Sequence, residues 1–180
     1  MLVVFLANGF EETEALTTVD VLRRAELDVV TVGVGGQLVT GSHGIPVVAD
    51  LDESQWTPDE MEGVVLPGGM PGTLHLGASA TVKKALEIAQ KRDLLIAAIC
   101  AAPSVLGEQG LLKGKRATCF PGFEDQLTGA TVEAGAPVVC DGKTVTAKGM
   151  GVTIPFALAI VTLLKGEADA KRLEGTLQCR

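Results

Sequence analysis

The segment LLIAAICAAPSVLGEQGLL, residues 94–112, joins an apolar run to a helical pattern through a single cysteine. Residues 94–99 are apolar at every position, which is typical of a parallel strand that helices cover on both faces. Pro103 favours the start of a helix, because proline is well tolerated in a first turn. Cys100 is therefore predicted to lie at a strand-to-helix turn, where its side chain projects from the edge of the sheet.

The same alternation of strand and helix continues along the chain. Residues 37–50 indicate short extended segments around a glycine-rich turn. Further strands are predicted at residues 2–7, 28–34, 63–69, 116–120, 137–140 and 144–149, and further helices at residues 11–26, 80–92, 153–166 and 168–177. With no repeat or linker between them, these elements predict one α/β domain over residues 1–180, with a doubly wound, mostly parallel sheet.

The amino-acid composition limits the kinds of molecule that the protein could bind. Of the 180 residues, 47% are hydrophobic and 21% charged, which is an ordinary globular composition. The net charge of −7 leaves no basic surface for a nucleic-acid backbone. The opening MLVVFLANGF lacks the pattern of a signal peptide, and the longest apolar run, VTIPFALAIVTLL, is short for a membrane span. We therefore expect a cytoplasmic protein with neither nucleic-acid nor membrane partners.

The cysteines indicate no metal site. They are Cys100, Cys119, Cys140 and Cys179, with no CxxC pair and no histidine close to any of them in sequence. Structural zinc sites place such ligands at short spacings, and a domain of this size needs no disulfide framework. The runs around Cys119 and Cys140 look like strands, so both thiols are expected to be buried, whereas Cys179 is expected to be exposed.

Three of the predicted strands end in sequence that could carry chemistry. ANGFEETE follows the run at 2–7, LPGG ends the run at 63–69, and Cys100 follows the run at 94–99. Ligands of open α/β sheets bind outside the carboxyl ends of the strands. If the three strands are neighbours, the same edge of the sheet would carry Glu11 to Glu14, Gly68, Gly69 and Cys100.

Cys100 is the candidate nucleophile, because the N–H groups of a following helix favour a thiolate. The alternative is an inert, buried thiol packed as a small apolar side chain. Gly68 and Gly69 either form a plain strand-ending turn or let backbone N–H groups approach a substrate oxygen. In the second case the N–H of Ala101 would complete an oxyanion hole. His43, in the loop GSHG, is either an exposed loop residue or a site residue.

Glu14 is the candidate proton carrier. On a helix its face also carries Thr18, Val21 and Ala25. Partial burial there would raise its pKa, so that it could donate a hydrogen bond to a thiolate or act as a general base. The alternative is a role in complementing the helix dipole, which is also how we interpret Glu11 and Glu12.

Together, VVLPGG, IAAICAAPSVL and NGFEETEALTTVDVLRRA resemble the ThiJ/PfpI family of the class I glutamine-amidotransferase-like superfamily. The similarity is greatest to its parkinsonism-associated deglycase-like branch and covers nearly the whole chain. It implies a flavodoxin-like three-layer sandwich with a cysteine nucleophile elbow, and a homodimer.

The resemblance also assigns roles to matching positions. Cys100 matches an oxidisable elbow cysteine and Glu14 the carboxyl that hydrogen-bonds it, while Gly69 and Ala101 match backbone N–H donors of the pocket. Arg24 and Met150 match positions that approach the pocket across the dimer interface. His43 lies where some members of the family have an arginine.

Two positions depart from the family pattern. The proteolytic branch carries a histidine directly after the cysteine, where this chain has Ala101, which argues against a protease. Some members carry a histidine before the proline of CFP, where this chain has Phe120.

Two functions follow from the resemblance. One is a cofactor-independent enzyme that acts through Cys100 and Glu14 on reactive dicarbonyls such as methylglyoxal, or on their early protein adducts, as a glyoxalase III or deglycase. The other is a redox-sensing stress protein or chaperone whose Cys100 is oxidised to sulfinate. Both use the same residues and need no metal or organic cofactor, and an α/β domain with an inert thiol stays as the third possibility.

Overall fold

The computed structural model describes residues 1–179, in which strands and helices alternate. The strands are β1 (Leu2–Ala7), β2 (Val29–Val34), β3 (Leu38–Thr40), β4 (Pro46–Val48), β5 (Leu51–Asp52), β6 (Gly63–Leu66), β7 (Leu95–Ile99), β8 (Arg116–Ala117), β9 (Thr131–Val132), β10 (Val138–Asp141) and β11 (Thr144–Ala147). The helices are α1 (Glu12–Arg24), α2 (Gly72–Ala78), α3 (Ala80–Lys91), α4 (Pro103–Glu108), α5 (Thr153–Lys165) and α6 (Glu167–Thr176). None of the helices described has the length and apolar content that a membrane span requires.

A seven-stranded sheet forms the centre, in the order β10-β11-β7-β6-β1-β2-β5. All neighbours are parallel except the β10–β11 hairpin at one edge. This confirms the predicted doubly wound, mostly parallel α/β fold. Successive residues of β1 point to opposite faces: Val4 and Leu6 pack in the layer with α1 and α5, and Val3 and Phe5 in the layer with α3 and α4.

The adjacency of β1, β6 and β7 positions the candidate site. Leu2 pairs with Gly63, and Gly63 pairs with Leu95, so the three parallel strands start level with one another. Their carboxyl ends therefore meet at one edge of the sheet, and α1 and α4 both begin there. The convergence expected from the sequence is present.

The predicted strand at 116–120 is wrong beyond Ala117. Its first two residues pair with β9 in a separate two-stranded parallel sheet. The chain then leaves that sheet because its N–H groups find other partners: Thr118 donates to the Thr146 hydroxyl at 2.9 Å, and Phe120 donates to the Cys100 carbonyl at 2.8 Å. Cys119 thus lies in a buried segment outside any strand.

Candidate active site

Cys100 lies at a sharp turn between β7 and α4. Its φ of +66° is left-handed, a conformation that costs a residue other than glycine about 1–3 kcal/mol and is common at functional sites. Two hydrogen bonds hold it: the Cys100 N–H donates to the Ala147 carbonyl at 2.9 Å, and the Cys100 carbonyl accepts the Phe120 N–H at 2.8 Å. The cysteine is only partly buried. This is the geometry of a nucleophile elbow.

The Glu14 carboxyl lies beside the thiol in the first turn of α1. The Glu11 side chain caps this helix by accepting the Glu14 N–H at 2.6 Å, and Glu14 itself is 1% exposed. Its Oε2 accepts the Gly68 N–H at 2.9 Å, while its buried Oε1 has no hydrogen-bond partner among residues 1–179. A Cβ added at Gly68 would lie 2.5 Å from Cys100 Cβ and 2.7 Å from Glu14 Oε2, so glycine allows the two side chains to face each other.

The pKa values of the two groups depend on each other. Burial raises the pKa of Glu14 to about 7, although the Cys100 thiol and the Gly68 N–H lower it. Burial, and then the charge of Glu14, raises the pKa of the Cys100 thiol to about 12, although the N–H groups of Ala101 and Gly69 lower it. The N–H at the start of the helix therefore favours the thiolate, as the sequence suggested, but burial and an ionised Glu14 outweigh it.

Protonation of Glu14 changes the direction of its effect on the sulfur. A neutral carboxyl no longer repels a thiolate and can donate its O–H to it. The pair therefore holds a single negative charge between the two pKa values, and that charge can sit on the sulfur with the proton on the carboxyl. Cys100 and Glu14 act as one acid–base unit.

Two backbone N–H groups favour a thiolate at Cys100. Those of Gly69 and Ala101 both lower the pKa of its thiol. Gly69 has a φ of +93°, and a Cβ there would collide with the Glu11 N–H. Position 69 in the PGG turn therefore requires a glycine, and the oxyanion-hole role of its N–H stays a prediction.

Glu12 is a residue whose role the sequence analysis missed. Interpreted there as an ordinary first-turn acid, it is instead 5% exposed and accepts the His43 N–H at 2.7 Å and the Ser42 hydroxyl at 3.3 Å. Burial opposes its ionisation, but hydrogen bonds from His43 and from the N–H of Ile45 lower the pKa of Glu12 to about 2. Glu12 therefore anchors the 41–45 loop to α1.

His43 is used in the same anchor. Its exposed ring lies with Nδ1 3.0 Å from Glu12 Oε2, and this contact raises the pKa of the imidazole. Glu11, Glu12 and His43 could each offer one metal-ligand atom, all within 4.8 Å of one another. The carboxylate oxygens already accept N–H groups of the loop and of α1, which accounts for the cluster without an ion.

Arg24 does not join the site within one chain. Arg24 follows Glu14 by ten residues of α1, about 15 Å along the helix, and its Nε donates to Asp20 at 2.7 Å. Met150 is 54% exposed just before α5. Their predicted approach across a dimer interface stays a prediction.

The other thiols lack the arrangement around Cys100. Burial, followed by the charge of Glu124, raises the pKa of the Cys119 thiol to about 11. Burial also raises the pKa of Cys140, in β10, although Arg116 lowers it. Cys140 and Cys179 are half-buried, so Cys140 is more open and Cys179 less exposed than expected.

Comparison with known proteins identifies the family of the chain. A family model described as the DJ-1/PfpI family matches residues 1–163. Protein dj-1beta of Drosophila melanogaster is 38% identical over 94% of this chain and 92% of its own length. DJ-1 homolog B of Arabidopsis thaliana is also 38% identical, over 97% of this chain, but the chain spans only 40% of that protein.

Two further comparisons bear on function. A protein of Pyrococcus abyssi named as a deglycase is 33% identical over 90% of this chain and 98% of its own length. The structure of Toxoplasma gondii DJ-1, described as oxidized, superposes with a TM-score of 0.93 at 35% identity, covering 98% of this chain and 96% of that one.

Proposed function

Because the chain belongs to the DJ-1/PfpI family, we propose that it is a cysteine-dependent enzyme acting on reactive dicarbonyls such as methylglyoxal, or on their early protein adducts. The observation that carries this proposal is the unit of Cys100, Glu14 and two backbone N–H groups. It supplies a nucleophile, a proton carrier and donors for a developing oxyanion in one place. The relative named as a deglycase supports the same chemistry.

The first step would be addition to the aldehyde. The Cys100 sulfur forms a bond to the aldehyde carbon, and the π electrons of the carbonyl move to its oxygen. The N–H groups of Gly69 and Ala101 can stabilise that oxygen, which then takes the proton from Glu14. The product is a hemithioacetal and an ionised Glu14.

The second step would move a proton between neighbouring carbons. The Glu14 carboxylate removes the proton from the former aldehyde carbon and returns it to the adjacent carbon. The hydroxyl proton of the hemithioacetal passes at the same stage to the oxygen of that adjacent carbon, and the two transfers together give a hydroxy thioester. Water then adds to the thioester, releasing a hydroxy acid and the Cys100 thiol. The oxidation of one carbon balances the reduction of the other, so no external oxidant is needed.

The test is conversion of methylglyoxal to lactate by the purified protein, followed by NMR. Cys100→Ser should abolish turnover, while Cys179→Ser, at a thiol outside the site, should leave it intact. If the wild-type protein forms no lactate, or if Cys100→Ser forms it at the wild-type rate, the proposal fails.

A redox function is the second candidate, favoured by the same buried carboxyl beside a partly exposed thiol. A protonated Glu14 and the two N–H groups could hold a sulfinate on Cys100. The Toxoplasma gondii relative described as oxidized supports this possibility. Peptide mass spectrometry after graded peroxide should then find two added oxygens on Cys100 before any appear on Cys119 or Cys140.

We further propose a homodimer, in which Arg24 and Met150 approach the partner's site. Exposed apolar side chains on the β3–β4 hairpin, among them Leu38 at 65% and Val48 at 69% exposure, support an interface there. Sedimentation at micromolar concentration should show a dimer, and a monomer alone would remove both cross-subunit roles. The cytoplasmic location stays a prediction.

A further inference from the structure

Two buried oxygen atoms on α1 have no hydrogen-bond partner among residues 1–179. They are Oε1 of Glu14 and the hydroxyl oxygen of Thr18, and both residues are 1% exposed. Buried polar atoms in native proteins are nearly always hydrogen-bonded, so an unpaired one requires an explanation. Here two of them occur on the same helix.

The helix brings these two side chains together. Thr18 follows Glu14 by four residues, a spacing that places their Cβ atoms about 5–6 Å apart on one face. The side chain of a helical residue also leans toward the turn that precedes it, which for Thr18 is the turn that carries Glu14. A single water can span a gap of this size between the two oxygens.

The two oxygens of the Glu14 carboxyl differ in their surroundings. Oε2 accepts the Gly68 N–H at 2.9 Å, on the side of Gly68 where Cys100 also lies. Oε1 receives no hydrogen bond from residues 1–179, although a buried charge needs donors to offset the loss of solvent. The Thr18 hydroxyl can donate to a water, and that water can donate to Oε1, which would satisfy both unpaired atoms.

We propose that Thr18 is a positioning residue that, through one buried water, donates to Glu14 Oε1 and holds the negative charge of the site on the carboxyl rather than on the sulfur. Thr18 acts through Glu14 and not on the thiol directly. Because the carboxyl and the thiol compete for one charge, Thr18 restrains the reactivity of Cys100. This role concerns the acid–base pair itself and does not depend on turnover of a dicarbonyl.

The charged groups around Glu14 stay the same when Thr18 is replaced. Those on the segments packed around it are Cys100 at the elbow, Glu11, Glu12, Asp20, Arg23 and Arg24 in or beside α1, His43 in the 41–45 loop and Lys165 in α5. Cys100 and Glu11 act on the ionisation of Glu14. Lys165 lies at the other end of α1, where its Nζ donates to the C-cap carbonyl at 2.7 Å.

The first experiment measures the rate at which iodoacetamide alkylates Cys100 across pH in Thr18→Val, which removes only the hydroxyl. The carboxyl is the first of the pair to ionise, so its step near pH 7 should move up by about one pH unit or more, the shift expected from one hydrogen bond to a charge. Above the step the rate should rise about tenfold or more, because more of the charge then sits on the sulfur. Below the step it should be unchanged.

The opposite results would overturn the role of Thr18. Thr18→Ser keeps a hydroxyl and should retain the wild-type profile, so a shift as large as that of Thr18→Val would assign the effect to packing. Thr13→Val, at an exposed threonine beside Glu14, is the matched control and should leave the profile unchanged. Thermal melting checks that each variant is folded. An unchanged step in Thr18→Val, or a lower rate above it, contradicts the proposal.

The second experiment repeats Thr18→Val in the Glu14→Gln protein. With no carboxyl to ionise, the replacement should change the alkylation rate by less than about twofold, whereas residues that act together are expected to be non-additive. An equal gain in both proteins would mean that the hydroxyl acts on the thiol directly, which overturns the proposal. Neither experiment uses a dicarbonyl, so either proposal can fail while the other stands.

A crystal structure supplies the direct test. The wild-type protein should show one ordered water between the Thr18 hydroxyl and Glu14 Oε1, and Thr18→Val should lose it. A Thr18 hydroxyl bonded instead to the Glu14 backbone carbonyl, the common alternative within a helix, would overturn the proposal.

Discussion

The Glu14 carboxyl and the Cys100 thiol lie against the same side of Gly68, where a Cβ would be 2.7 Å from Glu14 Oε2 and 2.5 Å from Cys100 Cβ, so the ionisation of one group affects the other. This follows from the pKa of Glu14, raised to about 7, and that of Cys100, raised to about 12. The reactive form of the sulfur therefore depends on a group in another element, α1, rather than on its own helix alone.

The pH dependence of Cys100 alkylation should reveal this coupling. As the pH rises through about 7, the pair loses its first proton, so the alkylation rate should rise there and then level off. Glu14→Gln keeps the shape of the side chain but cannot titrate, and its profile should lack the step. Stopped-flow alkylation across this range measures both profiles, and an identical step in the two proteins would assign it to another group.

Glu14→Gln should also separate the two candidate functions. Loss of a general acid–base residue costs about 10²–10⁴ in rate, so dicarbonyl turnover should fall by that factor. The amide can still donate a hydrogen bond, so peroxide should still convert Cys100 to sulfinate. Glu14→Leu, which does neither, should impair turnover and retain the sulfinate poorly. Wild-type turnover in Glu14→Gln would show that Glu14 is not the base.

The buried Glu14 should make the protein less stable as the pH rises. Its pKa is higher in the folded state than the 4.5 of an ordinary glutamate, so its contribution is fully present below about pH 4.5 and is lost as the pH rises through about 7. The difference corresponds to about 3 kcal/mol at most. Urea unfolding at several pH values should show this fall in the free energy of unfolding, and Glu14→Gln should flatten it.

Glu12 should show the opposite sign in a lower pH window. Its pKa is lowered to about 2, so its contribution is present above about pH 4.5 and is lost as the pH falls through about 2. Glu12→Gln should weaken the attachment of the 41–45 loop and reduce the acid sensitivity of stability in that window. Glu87→Gln, at an exposed glutamate of α3, is the matched control and should behave like the wild type. Equal acid unfolding of all three proteins would contradict the anchor.

Much of the fold followed from short-range pattern. Short runs that are apolar on both faces are typical of central parallel strands, which is why β1, β6 and β7 were predictable. That the three strands are neighbours was only a condition of the sequence analysis, and the structure supplies it. The burial of Glu14 was predictable because Thr18, Val21 and Ala25 share its helix face, and Thr18 and Val21 are each 1% exposed.

Long-range contacts account for what the sequence did not reveal. Glu12 is hydrogen-bonded to His43, which lies 31 residues later in the chain. No periodicity in the sequence indicates the path of the loop that carries this histidine. The two-residue strands β8 and β9 are too short to show alternation, and residues 118–120 leave the strand for partners in β11 and at the elbow. The raised pKa of Cys100 comes mainly from burial, which depends on elements from both halves of the chain.

The left-handed backbone of Cys100 has a consequence for the protein during its synthesis. Both hydrogen bonds that hold it come from residues made later, Phe120 and Ala147. On the ribosome, where the N-terminal part emerges first, the cysteine appears before either partner exists. The nascent chain therefore carries Cys100 without the two hydrogen bonds that hold its left-handed turn, and both can form only after β11 has been translated and has paired with β7.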